Sequence, residues 1–292
     1  MSTSFENKKR LRFVITLATG TFGSSNNNQI TLEGYRSIAE IDKAGGMMMG
    51  ELRARIFGVS QSDMNSCTLI QFKPGFYLKN TIVVFAIDGD SETMVFAGNV
   101  VNAWGDYQDL PQVCLYVQAQ SAYSDSLSSA VPFSIPGAID VSIPMSQLAA
   151  KMGLSFENNN VHTIVRDIYL PNTLKEQALD LAREAGCSLY IDDTTLAITP
   201  LYQPRGSNIP EISPSSGLVG YPTFDGVGGI SFRTLFNPSI LFGGAIKLVT
   251  SIPQAEGQWL VACVSHHLEA EKPNGEWFSR IRGNKIGITL IQ

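Results

Sequence analysis

The stretch NTLKEQALDLAREAG, residues 172–186, limits the fold more than any other part of this sequence. It is the clearest helical pattern in 292 residues, accompanied by two shorter ones, SQSDMNSC and MSQLAAKMG. Thr173 and Glu176 have the spacing of a capping box, in which hydroxyl and carboxylate satisfy each other's backbone amides. Leu174, Ala178, Leu181 and Ala185 recur along one face, and Gly186 can end the helix in the left-handed conformation. A chain this long with so little helical periodicity must bury its apolar residues mainly in sheets.

The remaining patterns are those of strands. ELRARIFGV alternates Leu52, Ala54 and Ile56 against Glu51, Arg53 and Arg55, which reads as a half-buried strand with a charged face. NTIVVFAI and ETMVFAGNVVNAW flank DGDS, a hairpin signal, and QVCLYVQAQSAY follows a turn. Ser60 or Ser62 offers an N-cap for the short helix in SQSDMNSC. Near Ser124 the texture changes. SDSLSSAVPFSIPGAIDVSIP reads as a Ser- and Pro-rich linker or crossing segment, MSQLAAKMG as a short helix, and CSLYIDDTTLAIT as a hairpin. YQPRGSNIPEISPSSGLVGYP, with Pro204, Pro210, Pro214 and Pro222, reads as a second boundary. Strands resume in GISFRTLF, AIKLVTSI, GQWLVACVSHHLEA, GEWFSRIRGN and KIGITLI. The expected organisation is mainly β with a small inserted α/β module: residues 1–123 β-rich, 124–203 α/β, 204–292 β-rich. The two β stretches fit small barrels or sandwiches.

Charge narrows the function classes. The chain carries a net −5, distributed as +3 in residues 1–60, −4 in 61–120, −5 in 121–200 and +1 in 201–292. A phosphate-gripping protein normally shows a basic patch. The one basic cluster, Lys8, Lys9, Arg10 and Arg12, reads as a solvated arm. Cys67, Cys114, Cys187 and Cys263 are far apart in sequence and set among apolar residues, as buried free thiols in a reducing compartment would be. No signal-peptide pattern opens the sequence and no apolar run approaches a membrane span, so synthesis in the cytoplasm and a soluble product are expected.

Groups able to do chemistry are sparse. The histidines are His162, His266 and His267, and SGLVG lacks the serine of a nucleophile elbow. Adjacent residues on a strand point to opposite faces, so His266 and His267 cannot jointly hold one metal; one buried and one exposed ring is expected. DGVGG, Asp225 to Gly229, opens a strand rather than a helix and reads as a turn, not a phosphate loop. Asp88/Asp90 and Asp192/Asp193 fall at hairpin tips, where Asp favours turn geometry; Asp88, Asp90 and Glu92 are the one group that could seat a weak calcium ion. No catalytic residue, cofactor or metal is assigned, and no enzymatic activity is expected.

Two features call for another explanation. GGMMMG places Met47, Met48 and Met49 between glycines, as a loop with Met tucked beneath it or as an adaptable apolar contact for a neighbouring subunit. LFNPSILFGGAIKLVT combines Asn-Pro and Gly-Gly inside an apolar run. Pro238 ends a hydrogen-bonded ladder, Asn237 is biased toward extended backbone, and Gly243 and Gly244 permit positive φ or a close backbone approach.

This second stretch belongs to an ordered series of motifs. Gly-Tyr-Pro at 220–222 precedes Leu235, Asn237 and Pro238, then Gly243-Gly244, Gly257-Gln258-Trp259, Val264-Ser265-His266 and Gly275-Glu276-Trp277. In that order they resemble the C-terminal barrel of baseplate hub proteins from contractile-tailed bacteriophages. That family includes T-even and Mu-like tail hubs and is related to the hub part of type VI secretion spikes. ITLEGYRSIAEIDKAGGMMMGELRARIFGVSQSDMN and MVFAGNVVNAWGDYQDLPQVCLYVQAQS are similar to the N-terminal part of the same family, so the resemblance covers nearly the whole chain.

The resemblance implies two tube-type β-barrels per chain and a homotrimer, so that six similar units join a sixfold tail tube above to a threefold central spike below. The module at 124–203 would project outward toward wedge or other baseplate proteins. DNA or tape-measure protein would pass through the lumen without specific binding. No spike-tip or lysozyme-like extension is expected beyond Gln292. The expected place is the baseplate of the virion tail. Met47, Met48, Met49, Leu235, Phe236, Asn237, Pro238, Gly243 and Gly244 are the candidate contacts with the tube or the next subunit. The alternatives are a hub of a phage-tail-like bacteriocin or contractile injection system and, in another class, a peptidoglycan-degrading tail enzyme using Glu or Asp pairs.

Overall fold

The structure is a computed structural model that describes residues 9–23, 27–44, 49–68, 79–108, 110–127, 129–226 and 228–286. Strands β1 (Lys9–Thr16), β2 (Gln29–Glu33), β3 (Ser37–Ala44) and β4 (Glu51–Phe57) lead to helix α1 (Gln61–Cys67). Strands β5 (Thr81–Asp88), β6 (Ser91–Asp106) and β7 (Cys114–Gln120) come next. The middle of the chain holds α2 (Tyr123–Leu127), β8 (Phe133–Asp140), α3 (Ser142–Lys151), β9 (Ser155–Asn158), β10 (Ile164–Leu170), α4 (Leu174–Ala185), β11 (Cys187–Asp192) and β12 (Thr195–Pro200). The last strands are β13 (Glu211–Ile212), β14 (Leu218–Phe224), β15 (Gly229–Leu235), β16 (Ala245–Leu248), β17 (Gly257–Ala270) and β18 (Trp277–Lys285). The protein is thus mainly β, with a few helices and largely antiparallel pairing. It divides into two compact units: one within 1–42, 50–123 and 265–279, the other within 43–49, 124–264 and 280–292.

In the first unit the ladder runs β2-β1-β5-β6-β7-β4-β3, with the end of β17 beside β3. The alternation read in ELRARIFGV holds: Leu52, Ala54 and Ile56 are buried while Arg53 and Arg55 are exposed. Phe13, Ile41, Ile82, Phe96 and Leu115 fill the same core. Ser60 caps α1, its hydroxyl accepting from the Asp63 amide.

The second unit contains three sets of strands. β8 and β10 form a two-stranded antiparallel sheet; β11 and β12 form the expected hairpin, and β9 adds to it in parallel. The third set runs β14-β15-β18-β17-β16-β13. Tyr190 and Ala197 of the hairpin share one apolar core with Phe232, Phe242, Ile246, Trp259, Val261 and Ile281. Helix α4 has the full capping box at Thr173 and Glu176 and ends on Gly186 at φ 62°.

Two expectations are corrected. SDSLSSAVPFSIPGAIDVSIP is not a linker: it holds all but the first residue of α2, the whole of β8 and the start of α3. Its Pro136-Gly137 pair is accommodated at an irregularity, since Ile135 pairs with Ile168 and Ala138 with Arg166. Only Asp167 lies opposite the two residues, and its carboxylate accepts from the Gly137 amide at 2.8 Å. A proline is tolerated where the ladder is already interrupted. The Pro-rich stretch before Pro222 likewise contains β13 and most of β14, with Gly220, Tyr221 and Pro222 inside a register shift on a strand paired at one edge. Of KIGITLI, Lys285 ends β18, and residues 287–292 lie outside the described residues.

Candidate interaction surfaces

The side chains capable of chemistry are dispersed or committed to structure. His266 is buried, with Nδ1 2.7 Å from the Ser279 hydroxyl, whereas His267 is on the opposite face, 3.6 Å from Glu40 and 3.7 Å from Glu269. His162 is exposed beside Asp140. Among the described residues no three His, Cys, Asp or Glu side chains are grouped so that they could hold a metal ion. At the β5–β6 tip, Asp88 pairs with Lys9 and Glu92 with Arg12 across to β1. Burial pushes the Cys67 thiol up to about 12 and the Cys187 thiol up to about 11. Both therefore stay protonated near neutral pH and are poor nucleophiles. Asp225 closes its turn by accepting from the Gly229 amide at 2.8 Å.

The Asn-Pro and Gly-Gly stretch builds a tight corner in the second unit. Asn237 Oδ1 accepts from the Ser239 amide at 2.9 Å, turning the chain as it leaves β15. Gly243 has φ +77°, and a Cβ there would lie 2.8 Å from the Tyr190 ring. Its amide donates to Val261 O at 3.0 Å, and its carbonyl accepts from Arg205 N at 2.9 Å. Only glycine meets both the backbone and the space requirement. Phe236, Gly243 and Gly244 are accordingly buried, Leu235 and Asn237 are half-buried, and Pro238 is exposed. Met49 is half-buried, and Met47 and Met48 lie outside the described residues.

Beside this corner is an ionic network with no counterpart among the sequence expectations. Arg205, 4% exposed, donates to Asp192 at 3.0 Å, to Glu157 at 2.9 Å and to the Phe242 carbonyl at 3.3 Å. Lys43 donates to Asp192 at 2.8 Å and to Asp193 at 2.5 Å. Burial opposes ionisation of Asp192, yet Lys43 and Arg205 hold its carboxyl below the ordinary range. Burial likewise opposes the charge on Lys43, and Asp193 and Asp192 raise it regardless. The network ties the stem of the Met-rich loop, the β11–β12 tip and the Gly243 corner together, within one unit. Asp192-Asp193 was legible as a hairpin tip; its cationic partners are too distant in sequence to find.

Among the described residues, the exposed large apolar side chains include those on two strands. Tyr221 and Phe224 project from β14, which is paired at one edge. Ile164 and Tyr169 occupy the outer face of β10.

The model of the family described as "Baseplate hub gp41" matches residues 77–274, more than half of the chain. No curated protein matches it by sequence. Among solved structures, the 43 kDa tail protein of prophage MuSo2 from Shewanella oneidensis is similar at TM-score 0.62 and 11% identity, covering 94% of this chain and 96% of that one. A tail protein from Neisseria meningitidis MC58 is similar at TM-score 0.61 and 9% identity, covering 94% and 97%. The E. coli c3393 protein is described as a component of the type VI secretion system with structural similarity to T4 tail proteins gp27 and gp5. It is similar at TM-score 0.56 and 7% identity, covering 94% of this chain and 77% of that one. At such identities the likeness speaks for the fold alone.

Proposed function

The chain belongs to the Baseplate hub gp41 family, and from that membership we propose that it joins the sixfold tail tube to the threefold central spike as a homotrimeric hub. The observation that carries this reading is the family match over residues 77–274. Fold similarity to a Mu-type prophage tail protein, running nearly end to end in both chains, supports it. As a phage tail baseplate component the protein has a structural role. In the proposed assembly each copy supplies two barrel-like β units, so three copies present six to the tube. The lumen would pass DNA or tape-measure protein without specific binding. Contacts with the tube or the next copy would use the accessible part of the candidate set, Pro238 and Met49 first, with Phe236, Gly243 and Gly244 shaping the corner beneath. The outer face of β10, with Ile164 and Tyr169, would meet wedge or other baseplate proteins. A hub of a phage-tail-like bacteriocin or injection system shares this architecture.

The test is genetic. Loss of the gene from the phage that encodes it should yield separate tubes and incomplete baseplates in electron micrographs, restored when the protein is supplied in trans. Complete, contractile tails without it would overturn the reading.

A further inference from the structure

In the second unit a cleft of about 340 Å³ opens between α4, β11 and the neighbouring strands β17 and β18. Leu179 and Ala182 line it from α4, Cys187 and Leu189 from β11, and Leu260 and Asn284 from the strands opposite. Its size falls within the range of ligand and side-chain pockets. The walls are mostly apolar. Arg183 also borders the space, but its guanidinium donates to Asp180 at 2.8 Å on the same helix. An uncharged, apolar occupant therefore suits the cleft, since a charge would have to be desolvated without a free partner.

The course of β18 selects that occupant. Ser279, Ile281 and Gly283 are buried, Ile281 in the apolar core of the unit, while Arg280, Arg282 and Asn284 alternate with them and are exposed on the other face. Asn284 lines the cleft, and the described residues end two positions later, at Ile286. The sequence continues GITLIQ, which holds Ile288, Leu290 and Ile291 and neither a charge nor a proline. Successive residues of an extended chain alternate sides, so Ile288 and Leu290 share the parity of Asn284. Six extended residues reach about 20 Å, enough to turn back over a cleft that begins at Asn284. So short a tether gives the chain's own segment a high effective concentration relative to any separate chain. A β-prone apolar run left in solvent is also a hazard for aggregation, which native proteins cover.

We propose that residues 287–292 fold back into this cleft of their own chain, with Ile288 and Leu290 seated between α4 and β17. The segment is a strap: it fastens α4 and β11 to the strands opposite by burying aliphatic side chains that would otherwise face water. It also shields the Cys187 thiol, which is 7% exposed and faces the same space. The same segment of a second copy would meet the same walls but lacks the tether at Asn284. The inference concerns a single copy and does not rest on the hub reading.

The test uses the full chain. Wild type and the double variant Ile288→Asp/Leu290→Asp are treated with N-ethylmaleimide, and alkylation of each cysteine is followed by peptide mass spectrometry, with circular dichroism as a control for folding. Cys187 should react on the order of tenfold faster or more in the variant, because two aliphatic anchors are lost from the cleft. Cys67, Cys114 and Cys263 should keep their rates. In parallel, Ile288→Cys and Leu290→Cys are each prepared as heavy- and light-isotope protein, refolded together from urea and oxidised with copper–phenanthroline. A disulfide to Cys187 within one isotope label is expected from at least one of them, as the two sulfurs must share the cleft to bond. Equal Cys187 rates in a folded double variant overturn the inference. So do disulfides to Cys187 that join heavy chains to light, or the lack of any to Cys187 from either position. Should the double variant not fold, the two cysteine variants decide. None of these results bears on the mass of the assembly, so the hub reading stands or falls separately.

Discussion

Replacing Arg205 with methionine removes the centre of the buried ionic network while keeping most of the apolar stem. Its side chain is 4% exposed and serves Asp192, Glu157 and the Phe242 carbonyl. Breaking a buried pair by deleting one partner costs about 3–5 kcal/mol, because a desolvated charge is left uncompensated. Here the remaining carboxylates are not abandoned. Asp192 keeps Lys43 at 2.8 Å, and Glu157 keeps the Asn159 side chain at 2.9 Å. The lower end, about 3 kcal/mol, is therefore expected. At about 2–4 °C per kcal/mol for a domain of this class, Arg205→Met should lower the melting midpoint by roughly 6–12 °C. Lys43→Met should cost less, since it leaves Asp192 its arginine. The double variant strands Asp192 altogether, so its cost should exceed the sum of the singles by about 1 kcal/mol or more. The assay is thermal and urea unfolding of the three variants and wild type by circular dichroism. An Arg205→Met shift under about 2 °C, or strict additivity, would refute the network as a buried, mutually dependent unit.

The same network sets a pH dependence. Asp192 titrates below its ordinary 3.8 in the folded state, so its contribution is full above that pH and is lost as acid protonates it in the fold. Asp192→Asn should flatten the stability loss below about pH 4, and an unchanged acid limb would contradict the assignment. Lys43 titrates above its ordinary 10.5, so its contribution is present below that pH and disappears on further alkalinisation. Gly243→Ala should destabilise by about 2–3 kcal/mol in urea unfolding, because φ is +77° and the Tyr190 ring occupies the Cβ position. Replacing Tyr190 by leucine in that background should recover part of the loss. Thr173→Ala removes one half of the capping box on α4 and should cost about 1 kcal/mol.

What was legible in the sequence was local. The capping box, the Gly186 stop, the Ser60 cap and the β5–β6 and β11–β12 hairpins each rest on residues within a few positions of one another. β9 escaped notice because four residues, Ser155–Asn158, carry too little pattern, and their pairing with β12 is parallel and distant. β8 and β14 were hidden by Pro136 and Pro222, which break strands in general but are admitted here at register irregularities. Gly243 was readable as a positive-φ or close-approach position, but Tyr190 as the approaching group was not. Arg205 reaches Glu157 and Asp192 through the fold, and Lys43 reaches Asp192 from the other end of the sequence. No spacing rule reports such pairs. Family kinship was legible for a different reason: the order of many short motifs survives where identity to solved structures has fallen to 11% or less.

The measurement that tests the central claim most directly is the mass of the purified protein, alone and with its neighbouring spike protein, by light scattering with negative-stain images. The account predicts three copies of the 31.7 kDa chain in ring-shaped particles with a central hole. A compact monomer that stays monomeric in the presence of the spike would contradict it.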